Sequence, residues 1–252
     1  MDLVAWEFAV LILAGFIGGL INVMAGGGSI ITMPVMMFLG VPGPVANATN
    51  RIPVLAHNIT AILTYLRHGI PQSWLILSLS LCAIPGAIVG SLISAQIPTH
   101  QFNLVLAMVM VVVMALMLTG KDTGSVKDQF NLSRIRLVFG HLLMILAGFW
   151  GGFIQIGIGF VLLPILHRVL SLNLIETNIY KVFIILTYTV AALLIFENQL
   201  EILWWIGVVM ALGNAVGGWL GARLTLSGGE KFIRRALVVA IGAMVVKLIW
   251  FP

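Results

Sequence analysis

The sequence predicts an all-α, polytopic membrane protein built from two inverted repeats of about five segments each, with one short broken or re-entrant helix per half. Three observations carry this expectation. First, hydrophobic residues make up 61% of the 252 positions and charged residues 8%, against about 25% charge in soluble domains, so lipid must solvate most of the surface. Second, no Asp, Glu, Lys or Arg occurs over 8–50, 68–120 or 137–167. About 20 apolar residues suffice to cross the hydrocarbon, so each stretch holds more than one segment. Third, one pattern occurs twice: Gly15, Phe16, Gly18, Gly19 and Asn22 are matched about 133 positions later by Gly148, Phe149, Gly151, Gly152 and Gln155. Two related halves interrupted by glycine are a signature of transporters.

Glycine, proline and polar clusters divide the first half into helices near 4–24, 29–39, 45–66, 72–95 and 101–119. The first ends at Gly26, Gly27 and Gly28, and the second carries Pro34. The third follows Gly40-Val41-Pro42 and carries Thr49-Asn50 near its start. The second half repeats the scheme near 135–155, 159–169, 174–196, 202–222 and 231–250. There Gly157 and Gly159 form the break, Pro164 follows it, and Thr177-Asn178 matches Thr49-Asn50. Trp74 pairs with Trp205, and the steps Gly86 to Gly90 and Gly217 to Gly221 pair as packing motifs. The segments at 29–39 and 159–169 are too short to cross about 30 Å at 1.5 Å per residue. The expected organisation is therefore an N-terminal membrane repeat at 1–119, a polar linker at 120–134 and a C-terminal membrane repeat at 135–252. The first eight residues lack a basic region, so the first segment is expected to be retained rather than cleaved.

Short cytoplasmic loops collect Lys and Arg. If the chain turns back at each glycine break, Arg67, Lys121, Lys127, Arg134, Arg136, Arg168, Arg223, Lys231, Arg234 and Arg235 fall on one side. The termini, His100, Glu197 and Glu201 fall on the other, with Lys247 as the exception. This favours an odd number of segments per half. The net charge of +5 is thereby explained, and no basic patch interleaves with aromatics as a nucleic-acid platform requires. Cys82 is the single cysteine, which excludes a disulfide framework or a thiolate metal site. No HExxH, GxSxG, P-loop or paired-carboxylate motif is present, so no enzyme activity, metal or cofactor is expected.

The candidate site residues are those that are costly to place in lipid. Breaks at Gly26, Gly27, Gly28, Gly157 and Gly159 free backbone amides, which membranes tolerate only where the backbone is buried in protein or lines a wet cavity. The N-termini of the short helices behind them would suit an anion. Arg51 and Lys181 lie near the start of the third segment of each half, where a central cation costs about 2.5–3.5 kcal/mol. Asn47, Arg51 and Asn58 share one helical face, with Asn50 and His57 on the adjoining stripe. Thr177, Asn178 and Lys181 form the counterpart. With Asn22 and Gln155, these amides, hydroxyls and cations can replace the hydration shell of an oxyanion. The alternatives are close helix packing for the glycine breaks, snorkelling for Arg51, pairing with Glu176 for Lys181, and interhelical hydrogen bonding for the amides, Asn214 included. His57 and Glu176 are candidates for proton coupling, with a structural donor as the alternative for His57. Trp6, Trp74, Trp204, Trp205 and Trp250 read as interface anchors.

In the Gly15 to Asn22 stretch, the Gly26-Gly27-Gly28 break before Pro34, the Gly40-Val41-Pro42 lead into Ala46, Thr49 and Asn50, and the counterparts Gly148 to Gln155, Gly157, Gly159, Pro164 and Gly217 to Gly221, the chain resembles the sulfite exporter TauE/SafE family of membrane transporters. The resemblance covers nearly the whole chain. It departs in two respects: the second glycine cluster is sparser, and Arg51 and Lys181 stand at different distances behind their Thr-Asn pairs. It implies a multi-pass inner-membrane carrier or facilitator for sulfite or an organosulfonate, working by alternating access. An anion channel on the same scaffold and a non-transporting membrane subunit are the rival readings. The expected partners are a small anionic substrate and the lipid bilayer, with a homodimer left open. An inside-negative potential would drive anion exit by about 2.3 kcal/mol per charge per 100 mV.

Overall fold

A computed structural model describes residues 4–67, 69, 73–119 and 133–227. The connection at 120–132, the basic residues Lys121, Lys127, Lys231, Arg234, Arg235 and Lys247, Trp250, and the segment expected at 231–250 lie outside the described residues. What is described is helical: α1 Ala5–Ala25, α2 Ser29–Phe38, α3 Gly43–Thr49, α4 Arg51–Leu66, α5 Ser73–Gln96, α6 Thr99–Thr119, α7 Arg134–Phe153, α8 Ile158–Pro164, α9 Leu174–Gln199 and α10 Trp204–Leu226. Five of them, α1, α5, α7, α9 and α10, are long and apolar enough to cross a membrane.

The sequence punctuation explains the ends. Gly26 takes φ +76° and its N–H donates to the carbonyls of Asn22 at 2.8 Å and Ile21 at 3.2 Å, closing α1 as glycine does when it adopts the left-handed conformation. Ser133 caps α7 by accepting from the Arg136 amide at 3.4 Å. A reciprocal capping box joins Asn173 and Glu176 at the start of α9. Its ten residues give α2 a length of about 15 Å, half a bilayer core.

Two segments differ from expectation. The helix expected at 45–66 lapses at Asn50 and becomes α3 and α4. Pro53 has no N–H for the Thr49 carbonyl, so the ladder stops there and restarts with proline in the first turn of α4. The helix expected at 159–169 is α8 followed by a π-helical turn, Ile165–Val169. Pro164 removes a donor from the middle of that segment, and the Leu170 N–H reaches back five residues to the Ile165 carbonyl at 3.0 Å.

The repeated glycines hold two equivalent helix pairs. In the first, α1 lies on α10: a Cβ on Gly15 or Gly19 would overlap the carbonyls of Met210 or Asn214, and one on Gly213 or Gly217 those of Ile12 or Phe16. In the second, α7 lies on α5: Gly148 and Gly152 meet the Ala83 and Ala87 carbonyls, while Gly86 and Gly90 meet those of Ile145 and Phe149. Gly86 therefore corresponds to Gly213 and Gly90 to Gly217. This is one turn earlier on α10 than the sequence pairing of Gly86 with Gly217, because α10 continues its glycine run to Gly221. Backbones this close leave no room for a side chain. Gly90→Leu is expected to separate α5 from α7 and lower the melting temperature of the detergent-solubilised protein by about 5–10 °C, measured by size-exclusion after heating.

These contacts also set direction. Within each pair the residue numbers rise together, so the partners run parallel. The same holds for α4 beside α10, where Gly207 meets Ile52 and Gly218 meets His57. The first turns of α1 and α10 share a face, with Phe8 against Trp205 at 6.2 Å between ring centroids. Arg67 and Arg223 lie at the far ends of α4 and α10, lining one cavity. Arg136 at the start of α7 donates to the Arg168 carbonyl at 2.9 Å. Trp6, Trp74, Trp204 and Trp205 are exposed, as interface anchors must be.

Candidate functional site

The two glycine breaks meet. The Gly159 N–H donates to the Gly26 carbonyl at 3.2 Å, and a Cβ on either residue would overlap the other's Cα. Gly28 packs on the Gly18 carbonyl and against the Asn22 side chain, and Gly27 faces the Phe160 ring. Gly157, at φ +71°, opens α8 against Val113.

A buried helix end leaves its last carbonyls without intrahelical partners. Around α7 those partners come from the other half. Arg51 Nη1 donates to the Gly151 carbonyl at 2.6 Å, its Nη2 to the Gly152 carbonyl at 2.8 Å, and Asn47 Nδ2 to the Phe153 carbonyl at 2.9 Å. Three consecutive carbonyls are thus capped by one turn of side chains spaced four apart. Arg51 also donates to Gln155 Oε1 and, at 3.3 Å, to Asn47 Oδ1, and its guanidinium lies 5.1 Å from the centre of the Phe196 ring. Both cations are fully buried, Arg51 and Lys181 each at 0% exposure, so neither snorkels.

Lys181 makes the reciprocal contact. Its Nζ donates to the Val23 carbonyl in the last turn of α1 at 2.6 Å and to Asn178 Oδ1 at 2.6 Å. The cation of each half therefore closes the broken first helix of the other half. Glu176 is taken up in the capping box at the start of α9, which is where the sequence alternative of a Lys181 partner goes.

The remaining candidates fall into separate groups. Asn50 accepts from Thr32 Oγ1 at 2.7 Å and donates to Ser29 Oγ at 3.1 Å, tying α4 to the first turn of α2. The His57 ring bridges two amides, with Nδ1 2.8 Å from Asn214 Oδ1 and Nε2 3.1 Å from Asn58 Nδ2. With Asn58 also donating to the Val54 carbonyl, the consistent assignment is a neutral ring carrying its proton on Nδ1. That is a structural bridge between α4 and α10. Thr177 is buried and donates to the Leu172 carbonyl at 3.4 Å.

What distinguishes the Arg51 cluster is the number of its unused donors; the His57 bridge leaves one, Asn214 Nδ2. A guanidinium only donates, so Gln155 must turn its oxygen toward Arg51 and its NH2 group away. Among the described residues Arg51 Nε, Gln155 Nε2 and the Tyr188 hydroxyl are buried without a hydrogen-bond partner. The Tyr188 hydroxyl stands 2.7 Å from where a Gly151 Cβ would lie, beside the carbonyl that Arg51 holds. Buried polar groups are normally satisfied, so three such donors at one helix end call for an explanation. Gln155 also adopts φ 59°, a strained choice for a residue that is not glycine. Tyr188 is absent from the sequence-level candidates. The signal for it was its spacing of seven from Lys181, which puts both on one face of α9.

A family profile described as sulfite exporter TauE/SafE matches residues 11–248. A probable membrane transporter protein of Haemophilus influenzae is 28% identical, covering 99% of this chain and 97% of its own length. The probable membrane transporter protein ORF9 of a Sinorhizobium species is 27% identical over 100% and 95% of the two chains. YfcA of Escherichia coli K12, also a probable membrane transporter protein, is 25% identical over 96% and 89%. No solved structure matches the chain significantly.

Proposed function

The chain belongs to the sulfite exporter TauE/SafE family, and from that premise we propose that it is a secondary carrier or facilitator moving a small sulfur-containing anion, sulfite or an organosulfonate, across the inner membrane. It is a multi-pass membrane protein of a transporter family, and family and relatives point away from an enzyme. The observation that carries the finer reading is the set of buried, unused donors beside a buried cation: Arg51 Nε, Gln155 Nε2 and the Tyr188 hydroxyl.

An oxyanion accepts several hydrogen bonds at once and binds best where one donor is charged. Arg51 brings charge, Gln155 an NH2 group and Tyr188 a hydroxyl, and no carboxylate is among the Arg51 partners to compete for them. The Nη groups serve the α7 carbonyls, so the anion addresses the Nε edge. Lys181 and Asn178 supply a second cationic surface at the end of α1. Substrate passes when the inverted halves rock apart at the Gly26–Gly159 contact, first toward one side and then toward the other. The glycines permit both states because neither presents a side chain to the other.

Tyr188→Phe tests this directly. It keeps the ring that packs on Gly151 and removes only the hydroxyl, so the expected result is an unchanged melting temperature with KM for sulfite or sulfonate raised about tenfold. Gln155→Glu adds a carboxylate to the Arg51 cluster and is expected to abolish uptake of labelled anion into proteoliposomes. Saturable counterflow of labelled against unlabelled anion separates a carrier from a channel. If both variants transport with wild-type KM, the site lies elsewhere.

A further inference from the structure

We propose that the groove between α4 and α10 seats one acidic phospholipid, with its phosphate between Arg67 and Arg223 and an acyl chain lying along Leu63 and Val216. The groove is a cavity of about 510 Å³ bounded by these residues, with Thr60, Thr64 and Trp219 among the others that line it. It lies outside the donor cluster described above.

Its polarity changes along its length. Leu63 and Val216 are more than half exposed, and on a chain that spans a membrane such a wall faces acyl chains. The floor presents no free hydroxyl at Thr60, whose Oγ1 donates to the Ala215 carbonyl of the facing helix at 2.9 Å. Both cations stand at one end, because α4 and α10 run parallel and Arg67 follows the last turn of one while Arg223 lies in the last turn of the other. The Arg223 guanidinium is stacked 4.2 Å from the centre of the Trp219 ring, which holds the charge at the groove mouth. Among the described residues no carboxylate lines the groove to neutralise the pair.

Two guanidinium groups over an apolar slot at a helix end complement a phosphate attached to a hydrocarbon tail, and basic pockets between membrane helices bind acidic head groups on this principle. A zwitterionic lipid brings its own cation and loses that advantage. The bound lipid would lie against α4, the helix that carries Arg51 and His57, and against α10, which carries Asn214.

The experiment uses the full chain, purified from zwitterionic phosphatidylcholine nanodiscs and from nanodiscs that also contain phosphatidylglycerol, with retained lipid counted by native mass spectrometry. The expected result is one retained phosphatidylglycerol, preferred about tenfold over phosphatidylcholine, and loss of that preference in Arg67→Gln with Arg223→Gln. Both arginines are exposed, so the double variant should melt like the wild type in phosphatidylcholine. Equal retention of both lipids, or an unchanged preference in the double variant, overturns the proposal. So does full competition by glycerol phosphate, which would assign the arginines to a free anion.

Discussion

Arg51→Met is expected to abolish anion flux and to lower the melting temperature of the solubilised protein by about 10 °C. The side chain holds the Gly151 and Gly152 carbonyls and the Gln155 amide. Methionine is of similar length and apolar, so it fills space while satisfying none of them. Each buried polar group left without a partner costs about 1–3 kcal/mol, and for a chain of this size each kcal/mol moves the melting point by about 2–4 °C. Arg51→Lys keeps the charge but offers a single ammonium where two planar Nη groups now serve two carbonyls, so an intermediate loss is expected. The pair of variants is read by thermal size-exclusion and by flux in proteoliposomes. A wild-type melting curve for Arg51→Met would show that the α7 carbonyls do not depend on this cap. Because this replacement is expected to damage both stability and binding, Tyr188→Phe is the sharper probe of the proposed substrate site.

The second large effect is expected at the crossing of the breaks. In Gly159→Val the new side chain has no space, since even a Cβ would overlap the Gly26 Cα. A substitution on the other side of the contact, Gly26→Ala, adds backbone strain, because φ +76° is costly for any residue with a Cβ. The packed arrangement should therefore give way to one with the halves apart. Flux should fall at least tenfold, an expectation that follows from blocking one of the two states of the proposed carrier cycle. Ser29 is buried at the first turn of α2, so Ser29→Cys in a Cys82→Ser background reports the change. Its labelling by a water-soluble thiol reagent should be slow with glycine at 159 and fast with valine. Unchanged flux together with unchanged labelling would rule out separation of the breaks as part of the cycle.

Much of this architecture was legible in the chain. The apolar composition, the duplicated Gly15 and Gly148 stretches and the short segments behind the breaks carry helix positions because glycine, proline and charge act locally. Arg51 and Lys181 stood out for the same reason, as cations with no aqueous exit. What could not be read was the direction in which they point. Which carbonyls a helix end leaves open depends on where another helix stops in space, and no pattern within α4 or α9 encodes the ends of α7 or α1. The pairing of Gly86 with Gly217 failed similarly: a run at Gly213, Gly217, Gly218 and Gly221 offers several registers one turn apart, and only packing selects among them. Asn50 looked like a polar helix residue because the effect of Pro53 on the Thr49 carbonyl reaches back across a turn. Tyr188 carries no mark of its own in the sequence, since its hydroxyl matters only beside Gly151.

The crosswise closure of α1 by Lys181 and of α7 by Arg51 has a consequence for how the molecule can be divided. Neither portion is self-sufficient. A fragment ending in the polar connection would keep the Val23 carbonyl and lose its ammonium, while the complementary fragment would keep the α7 terminus and lose its guanidinium. Split expression should therefore yield membrane-inserted, protease-sensitive pieces when each is made alone, and a resistant complex when both are made in one cell. Complementation of that kind is the behaviour of an interlocked pair rather than of two modules joined by a tether.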